Sequence, residues 1–225
     1  MRLSDTKEEN TMKHILLVTT ALVGLIHAPS FAQLSQLRIT VDQQQVAEWN
    51  RFVDDLYDLH KRQLEGKSIR TEERIDGYHQ IPEFYREVMY YDASNGRLLS
   101  RVAWERENPD RLHEIEVFQH DTEGRVIRDF LARFLPVHRN APIQTLINFH
   151  DYNGDTHSFR QFDASGNRIY EYCNGKLSSH QVSISLEEDQ ILAAQSRVND
   201  TMDRLDYEVC FGDLPLTAGT YLRPH

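Results

Sequence analysis

Lysine and arginine are scarce relative to aspartate and glutamate, 25 against 35, and the 225-residue chain carries a formal charge of −10. Binding to phosphate needs clustered cations, and none are clustered here. That argues against nucleic acid or an anionic membrane as partner, and for a cationic partner or plain solubility. Catalytic signatures are missing too. There is no G-x-S-x-G elbow, P-loop, Rossmann fingerprint, HExxH spacing or context for a nucleophilic cysteine. No cofactor is implied, and the balance tips away from an enzyme. Long apolar runs are also absent. Ile15–Ile26 spans twelve residues, about 18 Å as a helix, against a hydrocarbon core of roughly 30 Å.

That short run has the form of an export signal. Met12-Lys13-His14 precedes it, and Ser30 and Ala32 supply the small residues before a cut between Ala32 and Gln33. Pro29 interrupts the helix just ahead of that bond. Residues 1–32 are therefore expected to be an upstream extension and a cleaved signal peptide, and 33–225 one mature domain without a stable membrane span. Met1–Thr11 carries Asp5, Glu8 and Glu9 where signals are basic, which points to Met12 rather than Met1 as the start of translation. The compartment implied is periplasmic or secreted. Only two cysteines occur, Cys173 and Cys210, and an even number in an oxidising space predicts a disulfide.

The mature chain changes period along its length. After an arm at 33–42, apolar residues Val46, Trp49, Val53, Leu56, Leu59 and Leu64 recur at helical spacing over 41–65. Asp54, Asp55, Asp58, Lys61 and Arg62 are left to water. From Phe84 to Ser185 the period becomes two, and strands are predicted at 84–91, 97–105, 113–120, 125–134, 144–150, 156–162, 168–173 and 177–185. A last helix is expected over 187–207, with Ser185 and Glu188 as a capping box and Ile191, Ala194, Val198, Met202 and Leu205 as its stripe. The fold class is α+β: a twisted antiparallel meander of about eight strands, with an N-terminal and a C-terminal helix on one face. Whether the sheet closes into a barrel is open at this point.

The turns repeat. Asp92…Gly96, Asp121…Gly124, Asp151…Gly154 and Asp163…Gly166 each follow an aromatic residue or His: Tyr91, His120, His150 and Phe162. Asp caps such a turn and Gly takes its positive φ. Asn174-Gly175 reads as a further, tighter hairpin. Tyr91-Asp92…Gly96-Arg97 and Phe162-Asp163-Ala164-Ser165-Gly166-Asn167 resemble YD repeats, the Rhs-type units of bacterial surface and secreted proteins, over residues 84–175. The resemblance implies a β-meander in an exported protein with a ligand-binding surface. Three or four irregular units do not carry over the encapsulating shell of large Rhs proteins.

Candidate chemistry is sparse. His120 and His150 occupy equivalent pre-turn positions and, with Asp151 and Asp155, make the best metal set the sequence offers. Asp151-Tyr152-Asn153-Gly154-Asp155 opens like a calcium loop, but Thr156 and Phe162 stand where such a loop needs Gly and Glu. Leu214-Pro215-Leu216-Thr217-Ala218 lacks the apolar helix and basic tail of a sorting signal. The expected function is an exported, non-catalytic binding or scaffold protein acting on an unidentified protein or cell-envelope ligand. A carrier or chaperone for a lipophilic ligand and a metal-dependent hydrolase are the alternatives.

Overall fold

In a computed structural model of the protein the described residues are 31–136, 138–177, 180–191 and 204–225. Side chains are described from residue 42 in the first helix and from 206 in the last. The signal-peptide reading of 1–30 lies outside them. Residues 39–225 form one compact unit, to which all of the strands and the C-terminal segment belong.

Helix α1 (Phe31–Leu64) leads into nine strands: β1 (Ile69–Tyr78), β2 (Ile81–Asp92), β3 (Leu98–Glu105), β4 (Leu112–His120), β5 (Val126–Arg133), β6 (Gln144–Asn153), β7 (Thr156–Phe162), β8 (Arg168–Leu177) and β9 (His180–Glu187). They pair antiparallel in chain order, β1 next to β2 and so on to β9. The sheet is open, with β1 and β9 as its edges, and the α+β meander expected from the sequence is the fold. Helix α2 (Arg204–Phe211) and a 3₁₀ turn at Gly219–Leu222 come after it.

The structure corrects four local expectations. The arm at 33–42 is helical, because α1 begins before it. Strand β1 is additional to the eight expected: its burial pattern is exposed through seven central residues, so no apolar alternation marks it. Its Arg70, Glu72, Glu73, Arg74 and Asp76 are the charges an edge strand needs to resist further pairing. Asn174 and Gly175 are strand residues, paired with Ser183 and Val182. Gly175 is needed there because its φ is +146° and a Cβ would come within 2.3 Å of the Asp155 carbonyl oxygen. Ser185 lies within β9, and the contact opening the next helical turn is Glu187 N–H donating to Gln190 Oε1 at 3.0 Å. Residues 188–191 are helical; Ala194, Val198 and Met202 of the expected stripe lie outside the described residues.

Three hairpins are built alike. Between β2 and β3, β4 and β5, and β7 and β8, the register slips at the residue before the turn Asp, skipping Leu99, Ile127 and Ile169 of the returning strands. The Asp then accepts backbone N–H bonds across the turn, Ser94 N to Asp92, Arg125 N to Asp121 and Asn167 N to Asp163, at 2.8–2.9 Å. Gly96, Gly124 and Gly166 close these turns at φ +74° to +89°. The fourth expected unit differs: Asp151 sits inside β6, and Gly154-Asp155 makes a two-residue hairpin.

The core lies on one face. Ser100, Val117, Phe130, Ile147 and Phe162 are consecutive cross-strand neighbours, all buried, and Phe52, Val53, Leu56 and Leu59 of α1 pack on them. Each such side chain contributes roughly 1.5–3 kcal/mol by leaving water. Trp49 Nε1 donates to Ser165 Oγ near the middle of α1, and Gln63 Nε2 to the Phe118 carbonyl near its C-terminal end. The C-terminal segment covers the far half of the same face. Arg160 and Glu171, 1% and 0% exposed, form an ion pair. Arg160 also donates to the carbonyls of Leu214 and Pro215 at 2.8 and 3.0 Å, and Tyr207 donates to Glu171 at 2.9 Å.

Cys173 and Cys210 are bonded, as expected, tying α2 to β8. The loop closed spans 37 residues, worth at most about 4 kcal/mol by restriction of the unfolded chain. Reducing the bridge is expected to lower the urea midpoint by an amount up to that limit. Urea titration followed by circular dichroism, with and without reductant, checks this; coincident curves would mean the bridge contributes no stability.

Candidate functional site

One face of α1 is absorbed by the sheet, and a second borders a groove. Asn50, Val53, Asp54, Tyr57, Asp58 and Lys61 succeed one another at helical steps, which puts them on one side of a helix. Across from them stand Trp104 at the end of β3, Leu112 at the start of β4, Phe134 just beyond β5, and Asp110 and Arg139 from the connecting loops. The groove between them encloses about 650 Å³, a size suited to a small ligand.

A bulge makes this floor. Ala103 pairs with Glu114, but Trp104 pairs with Leu112, so His113 is skipped. The extra residue brings Leu112 opposite Trp104, a re-aiming that bulges commonly provide beside binding sites. His113 is buried instead against Tyr78, Phe84 and Tyr85, 2.9 Å from the Tyr78 hydroxyl.

Charge on the groove is unevenly settled. Lys61 meets Asp58 at 2.6 Å and Arg139 meets Glu105 at 3.0 Å. The Lys61 hydrogen bond holds the Asp58 carboxyl below its usual range. Asp54 and Asp110, both exposed, have no ion-pair or hydrogen-bond partner among the described residues.

The opposite face of the sheet carries a half-buried polar network. Asp129 accepts from Asn148 Nδ2 at 2.6 Å and lies 2.6 Å from His150 Nε2, while His150 Nδ1 lies 3.0 Å from His157 Nε2. An ionised Asp129 can only accept, so it fixes the proton on His150 Nε2. Tyr152 stacks on His157 at 4.7 Å. Glu116, cross-strand from Leu131 and paired with Arg101, is pushed up to about 7 by burial, against the pull of Arg101.

The expected metal residues are not gathered into one site. His120 lines a second hollow with Gln63, Arg97 and Phe118. His150 is held by Asp129 and His157, and shares no hydrogen bond or ring contact with His120. Asp151 points to the opposite face from His150, as successive strand residues do, and Asp155 occupies the exposed β6–β7 turn. Among the described residues no group of three or more His, Cys, Asp or Glu is arranged to hold a metal ion. A Ser–His pair does exist: His60 Nδ1 is 2.7 Å from Ser100 Oγ. It is sealed beneath α1, with 0% of Ser100 and 4% of His60 exposed, so no substrate reaches it, and burial takes His60 down to about 4.

Most of the groove is invisible to sequence reasoning. Periodicity puts Trp104 in the core and the helix carboxylates in solvent, and gives Asp110 and Arg139 no role. A signal does exist in α1: the polar and apolar residues at 50, 53, 54, 57, 58 and 61 form a second stripe beside the core one.

Compared with known proteins, the chain matches no family model, no curated protein and no solved structure. No helix among the described residues is long and apolar enough to cross a membrane.

Two buried groups give opposite pH dependences. Glu116 is raised from an ordinary 4.5 to about 7. Between those values the folded state holds a proton that the unfolded chain has lost, so stability falls as pH rises. His60 is lowered from 6.5 to about 4. There the unfolded chain binds the extra proton, and stability falls as pH drops. Each swing is on the order of 3 kcal/mol. Glu116→Gln is expected to flatten the decline from pH 5 to 7.5, and His60→Gln the decline from pH 6.5 to 4. Urea midpoints across pH 4–8 read both; parallel profiles for a variant and the parent would refute that assignment.

Proposed function

We propose that the protein is an exported, non-catalytic binding protein that holds a small cell-envelope ligand in the groove between α1 and the ends of β3, β4 and β5. The observation that carries this reading is the groove itself: about 650 Å³, with Tyr57, Trp104 and Phe134 presenting apolar surface and Asp54 and Asp110 uncommitted above it. The acid–base groups elsewhere are satisfied by one another or sealed from solvent, which favours binding over turnover. Export is supported by the leader pattern ending at Ala32 and by the Cys173–Cys210 bridge, and a periplasmic or secreted location goes with it. The three hairpins built alike fit the YD-type resemblance. A net charge of −10 argues against nucleic acid.

A second reading, a carrier for lipophilic molecules, is favoured by the floor of Val53, Leu112, Trp104 and Phe134. Metal-dependent hydrolysis finds no support in residues that the sheet keeps apart.

The neutral fluorescent probe N-phenyl-1-naphthylamine is expected to bind saturably at one site. Trp104→Ala should weaken it about tenfold, or about 1.4 kcal/mol, because the ring forms the floor. Fluorescence titration measures the affinity, and a thermal melt of the variant guards against misfolding. A parent protein that takes up no probe, or a folded Trp104→Ala that binds undiminished, would remove the groove as the site.

A further inference from the structure

Resting on the groove reading, we infer that the ligand is an organic cation: a protonated or quaternary amine on an aromatic or aliphatic body. The free charges decide the sign. Lys61 is committed to Asp58 and Arg139 to Glu105. An anionic ligand would meet only cations that already have a carboxylate each. Asp54 projects from the helix wall and Asp110 from the β3–β4 loop on the other side, and both are unpaired. A cation in the groove meets these carboxylates without displacing a partner.

The rings favour the same class. An aromatic face attracts a cation within about 6 Å through its quadrupole. Each ring of the groove already does so once: Lys61 lies 5.2 Å from the Tyr57 centroid, Arg86 5.9 Å from Trp104 and Arg139 4.8 Å from Phe134. These contacts show that the rings offer faces to cations where the chain supplies one. The surrounding potential acts in the same direction, since a net charge of −10 concentrates cations and repels anions near the surface. The enclosed volume suits a small molecule rather than a folded partner.

Three probes with one chain length separate the classes: dodecyltrimethylammonium, 1-dodecanol and dodecanoate, each below its micellar or solubility limit. Binding is read by Trp104 fluorescence in a Trp49→Phe background, which leaves Trp104 as the single tryptophan of two. The cation is expected to bind at least about tenfold more tightly than the alcohol, and the anion more weakly than either. Asp54→Asn with Asp110→Asn should erase the preference for the cation, and added salt should reduce it. Both carboxylates are exposed and unpaired, so the double variant is expected to melt with the parent. Equal affinity for cation and alcohol, or a preference untouched by the double variant, overturns the cationic class while the groove stands. Failure of all three probes to bind overturns the groove reading, and the cation with it.

Discussion

An open sheet one layer thick has to cover one of its faces, and that requirement organises the molecule. Among the described residues, nine strands in chain order leave no second sheet to pack against. The row running from Ser100 through Val117, Phe130 and Ile147 to Phe162 would stand in water without α1 and the C-terminal segment. Each covers roughly half. The helix supplies Phe52, Val53, Leu56 and Leu59, and the tail supplies Cys210, Phe211, Leu214 and Ala218. Local strand contacts form readily between neighbours in sequence, whereas the two covers meet strands far from them in sequence, and each is pinned by more than apolar contact.

The pins are polar and differ in kind. Asp55 holds Arg223, so the helix and the tail are also tied to each other. On the tail side the buried Arg160 directs its donors at Glu171 and two carbonyls of an irregular segment that has no sheet partner. Burying an ion pair is not in itself a gain, since desolvation offsets much of the attraction. What Arg160 does in addition is supply donors to two carbonyls of the segment that follows α2. Removing one partner strands the other in a dry site, whereas an apolar pair of the same volume would still leave Leu214 and Pro215 without donors. The disulfide lies on the same wall, joining Cys173 of β8 to α2.

Legibility in the sequence tracks burial on one side. Eight of the nine strands are legible because a half-buried strand alternates, and β1 is not because an edge exposed on both faces has nothing to alternate. The Asp…Gly turns are visible as chemistry, yet the register slip before each is not, since a bulge is a relation between two strands. Asp151 shows the limit: the same Asp…Gly letters produce a two-residue hairpin, and the side chain that looks like a cap is a strand residue facing Ser158. Phe52 and His60 escape notice in α1 because one helix can carry adjacent stripes for the sheet and for the groove. The polar network is out of reach for the same reason as the bulges. Asp129, His150 and His157 come from three strands, and no local spacing announces their meeting.

The groove depends on the bulge more than on any single side chain. With regular pairing past Ala103, His113 would stand opposite Trp104 and Leu112 would fall on the other face. The floor would then present an imidazole in place of an aliphatic side chain, next to a ring that needs a dry neighbour. Skipping His113 does two things at once. It places Leu112 beside Trp104 under the second stripe of α1, and it buries the imidazole among Tyr78, Phe84 and Tyr85, where burial lowers it to about 4 and keeps it neutral. The one-residue irregularity in β4 thus puts an aliphatic side chain rather than an imidazole on the floor, and the character of the groove is set by strand register as much as by composition.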